Sequence, residues 1–251
     1  MVSLRLGFIV VVLLLLISAQ AFAIPVSYTG TLAGSDITGT GVWADKYLLP
    51  AEEQPSWTAP SLAWTITQNA DLTWQYDYTL TVYNKGISHL ILEVSDEAGS
   101  EFTKANVLSS SWPMDKIEVQ NYSSGGSNPG MPSQVRGVKF DEASGTVLHV
   151  WFNSDRQPVW GDFYSKDGTS KDDADQNVWN AVWNAGFGNP DTDPTAPASD
   201  GPNAGHLLVP DTTGSEPPEP PNPPVPEPAG MVALGAGLMS LASLALRKRR
   251  P

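Results

Sequence analysis

Residues Ser61 to Asn84 read SLAWTITQNADLTWQYDYTLTVYN, and the alternation within them decides the fold class. Trp64, Thr65, Ile66 and Thr67 alternate apolar with polar. After the turn formers Asn69-Ala70-Asp71, Leu72, Trp74, Tyr76, Tyr78, Leu80 and Val82 fall on one face, and Thr73, Gln75, Asp77, Thr79 and Thr81 on the other. Successive side chains of a strand point to opposite faces, so this period of two means one buried face and one wet face. The stretch predicts an antiparallel hairpin closed by the Asn-Asp turn.

Working outward, strands are expected over Val26 to Leu32, Ser88 to Ser95, Gln134 to Phe140 and Thr146 to Phe152. Glycine-, proline- and asparagine-rich breaks such as NYSSGGSNPGMPS, Asn121 to Ser133, separate them. The stretch from Asp141 to Gly145 reads as a hairpin loop ending in glycine. One short helix is expected over Asp175 to Ala185, capped by Asp175, because Val178, Trp179, Val182 and Trp183 recur at helical spacing. No repeat at a solenoid or propeller period occurs. The expectation is a single mostly-β domain over residues 24–209, an antiparallel sandwich or jelly roll.

Both ends of the chain read as addresses rather than fold. MVSLRLGFIVVVLLLLISAQAFA, residues 1–23, carries one cation at Arg5, an apolar core from Leu6 to Ile17, and Ala21 and Ala23 in an A-x-A pattern. That is the layout of a secretory signal peptide cleaved after Ala23, and its apolar core is too short to span a bilayer. At the other end nine of the 19 residues from Pro210 to Pro228 are proline. Such a segment favours polyproline II, and residues 210–225 form an expected stalk with a reach on the order of 50 Å. The 18 uncharged residues from Ala229 to Leu246 follow, and as a helix they would span about 27 Å, close to a bilayer's hydrocarbon thickness. Arg247, Lys248, Arg249 and Arg250 come next and, by the positive-inside rule, stay in the cytoplasm.

The whole chain has 14 Lys and Arg against 27 Asp and Glu. Residues 24–225 keep nine of those cations and 26 of the acids, a formal charge of −17. A surface this acidic repels phosphate backbones and argues against a nucleic-acid partner. The absence of cysteine excludes disulfides, thiolate chemistry and iron–sulfur clusters, so an exported domain of this sequence relies on an ordinary core or on bound ions.

Pro226-Glu227-Pro228 stands immediately before the apolar run and the terminal basic cluster. This order, over residues 226–251, resembles the PEP-CTERM sorting signal of Gram-negative bacteria. The resemblance implies an exosortase-type membrane enzyme as a partner, which recognises the tripeptide and removes the helix and basic tail. It also implies a precursor anchored in the inner membrane through residues 229–246, then release to the cell surface or extracellular matrix, in bacteria that make exopolysaccharide and biofilms. WGDFYSKDG, Trp160 to Gly168, followed by NAVWNAGF, Asn180 to Phe187, is similar to a stretch in uncharacterised outer domains of the same group.

For chemistry the sequence offers little. His89, His149 and His206 stand alone, and no H-E-x-x-H, G-x-S-x-G or G-x-x-x-x-G-K-[ST] occurs, so no catalytic residue is assigned. A carboxylate pair for glycoside hydrolysis would need only two acids, and the sequence singles out no pair. The acidic stretch with Asp167, Asp172, Asp173 and Asp175 has the oxygen ligands calcium requires, yet it lacks the D-x-[DN]-x-[DN]-G loop, and a solvated acidic loop is the plainer reading. No other cofactor is implied. Trp160, Phe163, Tyr164, Trp179 and Trp183, near Asp162 and Asp167, would make a sugar-stacking platform, although sandwich cores also consume aromatics. The expectation is therefore an exported, non-enzymatic structural or adhesive domain associated with exopolysaccharide or biofilm. The alternative is a domain that binds or processes polysaccharide with calcium.

Overall fold

The computed structural model describes residues 26–44, 60–83, 85–94, 96, 98–171, 174–188 and 200–210, all within one compact unit. The signal peptide with Ala21 and Ala23, most of the stalk, Pro226-Glu227-Pro228, the apolar run and Arg247 to Arg250 lie outside these residues. So do Asp172 and Asp173.

The described chain is mostly β, in antiparallel sheets. Its strands are β1 Ser27–Ala33, β2 Ile37–Thr40, β3 Ser61–Gln68, β4 Trp74–Thr81, β5 His89–Glu93, β6 Val107–Ser110, β7 Ile117–Tyr122, β8 Val135–Asp141, β9 Val147–Ser154, β10 Pro158–Gly161, β11 Phe163–Lys171, β12 Asn177–Asn184 and β13 Leu207–Pro210. One sheet has the order β1-β3-β4-β9-β6, a second has β2-β12-β11-β5-β8-β7, and β10 pairs with β13. A single core takes Ile66, Tyr76, Tyr78 and Phe152 from the first sheet and Leu90, Phe140 and Phe163 from the second, so the two pack face to face like a sandwich. Phe140 and Phe152 meet across this core with ring centres 5.6 Å apart. β13 ends at Pro210, the residue where the sequence places the start of the stalk.

The β3–β4 hairpin forms as the alternation predicts, in register from Ser61 opposite Thr81 to Gln68 opposite Trp74. Trp74, Tyr76, Tyr78 and Leu80 are fully buried. Their hydroxyls are satisfied: Tyr76 donates to the Arg156 carbonyl and Tyr78 to that of Leu208, each at 2.7 Å. Leu72 departs from the expected face. It is 57% exposed with φ of 68°, because the turn closes between Asn69 and Thr73 and is held by Asp71 Oδ1, which accepts from the Thr73 amide and hydroxyl. Those hydrogen bonds hold the Asp71 carboxyl below its usual range.

Two expectations are corrected. Asp141 to Gly145 does not close a hairpin: β8 belongs to the six-stranded sheet and β9 to the five-stranded one. Val138 and Phe140 of β8 face the same core as Leu148, Val150 and Phe152 of β9, so the chain must arch from one layer to the other. Bonds from Ala143 N–H to the Ser88 carbonyl and from Ile87 N–H to that of Gly145 hold the arch. The helix expected over Asp175 to Ala185 is instead β12, paired with β11 on one side and β2 on the other. With both faces covered from Asn180 to Asn184, Val182 in the main core and Ala181 on the outer side, β12 carries apolar residues without strict alternation, which mimics helical spacing. Asp175 caps nothing; it sits in the preceding turn with φ of 58°.

A close approach fixes the edge of the five-stranded sheet. Gly30 of β1 lies opposite Trp64, and a Cβ at Gly30 would overlap the indole ring. Gly30→Ala is expected to lower stability by about 1–3 kcal/mol through this overpacking, measurable as a lower urea midpoint with an unchanged slope.

Candidate functional site

The aromatic platform suggested by the sequence is largely core. Trp160, Phe163 and Tyr164 are no more than 3% exposed, and Asp162 is buried with them. The run Trp160 to Tyr164 carries the chain from β10 into β11, and at this join both faces of the backbone are covered. Trp183 is half-buried and stacks on Tyr164 with centroids 6.3 Å apart. Only Trp179 presents a largely open ring, with Lys166 Nζ 5.2 Å from its centroid.

Of the four acids singled out for calcium, Asp167 and Asp175 fall among the described residues. Asp167 lies within β11 beside a register shift, and Asp175 is exposed next to Lys171 at 3.6 Å. Among the described residues no three His, Cys, Asp or Glu side chains come together as a metal site.

Two polar clusters that the sequence does not announce are assembled by the fold. The first centres on Asp162. Its Oδ1 accepts from Asn184 Nδ2 at 2.6 Å and from His206 Nδ1 at 2.9 Å, and its Oδ2 accepts from the Gly188 amide at 2.8 Å. Asn184 Oδ1 in turn accepts from the Phe163 amide, and Glu93 accepts from the Asp162 amide. An acid beside a histidine resembles a catalytic dyad, but here the His206 ring is 5% exposed and Gly186 backbone packs against it where a Cβ would collide. The cluster acts as a lock that joins β10, β11, β12 and the segment leading into β13.

The second cluster lies on the outer face of the six-stranded sheet. There Ile91, Tyr122, Met131, Val135, Tyr164 and Ala181 form a small second core, roofed by the loop after β7. Tyr164 donates to the Pro129 carbonyl of that loop at 2.8 Å, and burial raises the pKa of both Tyr164 and Tyr122. Beside this core opens a cleft of about 400 Å³, between β7, β8 and residues 123–128. Its walls are amides and hydroxyls, with Glu118 and Lys139 as the charged groups. Lys139 Nζ lies 2.8 Å from Asp141 Oδ2 and 3.9 Å from Glu118 Oε2. Burial pushes the Asp141 carboxyl up, but hydrogen bonds from Lys139 and the Glu142 amide outweigh it and leave the group below its usual range.

His89 stands behind the cleft, 3% exposed. Burial first, then the charges of Lys139 and Lys166, push its imidazole down to about 4, so it is neutral at ordinary pH. Its Nε2 and the Oδ1 of the buried Asn128 both lack a hydrogen-bond partner at full geometry, although the Asn128 amide is near enough to favour the imidazolium slightly. His149 is a surface residue, with Nε2 2.9 Å from Asp77 on the wet face of the five-stranded sheet.

Compared with known proteins, the chain matches no family model, no curated sequence and no solved structure.

Proposed function

We propose that the protein is an exported surface or matrix component whose acidic outer domain works by binding rather than catalysis. Export and sorting rest on the order of parts: a signal-like start, a sandwich-like domain, a proline stalk, Pro226-Glu227-Pro228, an apolar run and a basic end. In this reading a PEP-CTERM-type signal holds the precursor in the inner membrane by residues 229–246 until an exosortase-type enzyme cuts near the tripeptide. The prolines serve that step by keeping the tripeptide extended and free of secondary structure.

The observation that favours a binding role is the contrast between the two polar clusters. The acid–histidine group around Asp162 is sealed and cross-links strands, whereas the amide- and hydroxyl-lined cleft is open to solvent. The cleft also favours the carbohydrate-binding reading, now at a different place from the buried aromatics. A test of sorting is replacement of Pro226, Glu227 and Pro228 by alanine in the native host, followed by cell fractionation. The wild type is expected in the surface or matrix fraction and the variant in the inner membrane. Identical fractionation of the two would overturn the sorting reading.

A further inference from the structure

We propose that the cleft between β7, β8 and residues 123–128 is a subsite for a short, uncharged, polyhydroxylated ligand, roughly one or two sugar rings of a neutral polysaccharide. The inference rests on reading the outer domain as a binding module and adds the place and the ligand chemistry.

Size, charge and polarity all point the same way. A volume of about 400 Å³ lies within the range of small-ligand sites. Most such sites are apolar, but this one is lined by the amides of Gln120, Asn121 and Asn128 and the hydroxyls of Ser123, Ser124 and Ser127. An amide offers both donors and an acceptor, and a hydroxyl does the same, so the wall complements a ligand that is itself rich in hydroxyls. An apolar ligand would strip these groups of water and return nothing. An anion finds no free charge, since the one ammonium, Lys139, is already flanked by Asp141 and Glu118.

The feature that marks a built site is Asn128. The residue is 6% exposed and lines the cleft, with its Oδ1 sealed from solvent and its amide beside the buried His89 ring. The loop's backbone is held in place: Asn128 N–H donates to the Gly125 carbonyl, Gly125 N–H donates to the Asn128 carbonyl, and Met131 N–H donates to the same carbonyl, anchoring the loop to the second core. A loop fixed before binding loses little freedom when it binds. Gly125 and Gly126 leave open space where a Cβ would stand, so the ligand can approach the backbone there.

The experiment is calorimetric titration of the full-length chain in detergent micelles with cellotriose, maltotriose and tri-N-acetylchitotriose, with trigalacturonate as the charged comparison. At least one neutral trisaccharide is expected to bind. Asn128→Ala and, separately, the exposed Gln120→Ala are each expected to weaken it tenfold or more, with thermal midpoints checked for an intact fold. Trp179→Ala, on the same sheet face outside the cleft, is expected to leave affinity unchanged. Binding lost in Trp179→Ala but kept in the two cleft variants would overturn the cleft and leave the binding-module reading standing. Equal binding of trigalacturonate would overturn the neutral-ligand assignment, and no binding of any trisaccharide would overturn the proposal as a whole.

Discussion

Asp162→Ala is expected to lower the free energy of unfolding by about 3–5 kcal/mol, the cost typical of breaking a buried, hydrogen-bonded charged group by removing one partner. Alanine deletes both acceptor oxygens and leaves Asn184 Nδ2, His206 Nδ1 and the Gly188 amide without the partner they have at 2.6–2.9 Å. Little of this is recovered by water, because Asp162 is 2% exposed and Asn184 is fully buried. Asp162→Asn is the informative companion. It keeps the shape but turns one acceptor into a donor facing other donors, so it is expected to be destabilising too, by a smaller amount. Urea denaturation followed by tryptophan fluorescence measures both, and a loss below about 1 kcal/mol for alanine would contradict the account of Asp162 as the lock between strands.

Acidification is expected to destabilise the protein through His89. In the unfolded chain its imidazole titrates near 6.5, and in the folded state at about 4. Above pH 6.5 both states carry it neutral and its contribution is fully present. Between pH 6.5 and about 4 the unfolded chain takes up a proton that the folded protein refuses, so stability falls as pH falls, and below about 4 the loss levels off. At 1.36 kcal/mol per unit the full span is worth about 3 kcal/mol. The groups around the ring are Lys139 and Asp141 of β8, Lys166 of β11, Asn128 of the roof loop and the Tyr164 ring, 6.2 Å away. Carboxylates titrate in the same window, so the test is a difference. His89→Gln should flatten the curve of stability against pH between 6.5 and 4 relative to the wild type. Parallel curves would contradict the placement of a neutral imidazole at this site.

What the sequence made legible follows from what alternation can report. β3 and β4 have one wet face and one dry face, and their period of two was plain. β12 is covered on both faces over its second half and carries apolar residues on both, so Val178, Trp179, Val182 and Trp183 fit a helix as well as a strand. β10 and the start of β11 run as an unbroken buried series from Pro158 to Ser165, where no alternation exists to read. The arch after β8 differs from a hairpin only in which sheet receives the next strand, a choice made by the core and not by the loop.

The polar sites were opaque for a different reason. Asp162 meets Asn184 and His206 at sequence separations of 22 and 44, and His89 meets Asn128 only once the roof loop folds over the outer face of the sheet. No local motif encodes such meetings. The aromatics near Asp162 looked like a platform because residue type records how well a ring stacks, not which way it faces. The order of the terminal segments, by contrast, is readable without any fold.

The most direct single test of the account is the intact mass of the protein isolated from its native host. The account predicts a mature chain that begins at Ile24 and ends near Pro226-Glu227-Pro228. A mass that still includes residues 229–251 would contradict it and leave a plain membrane anchor in place of a sorting signal.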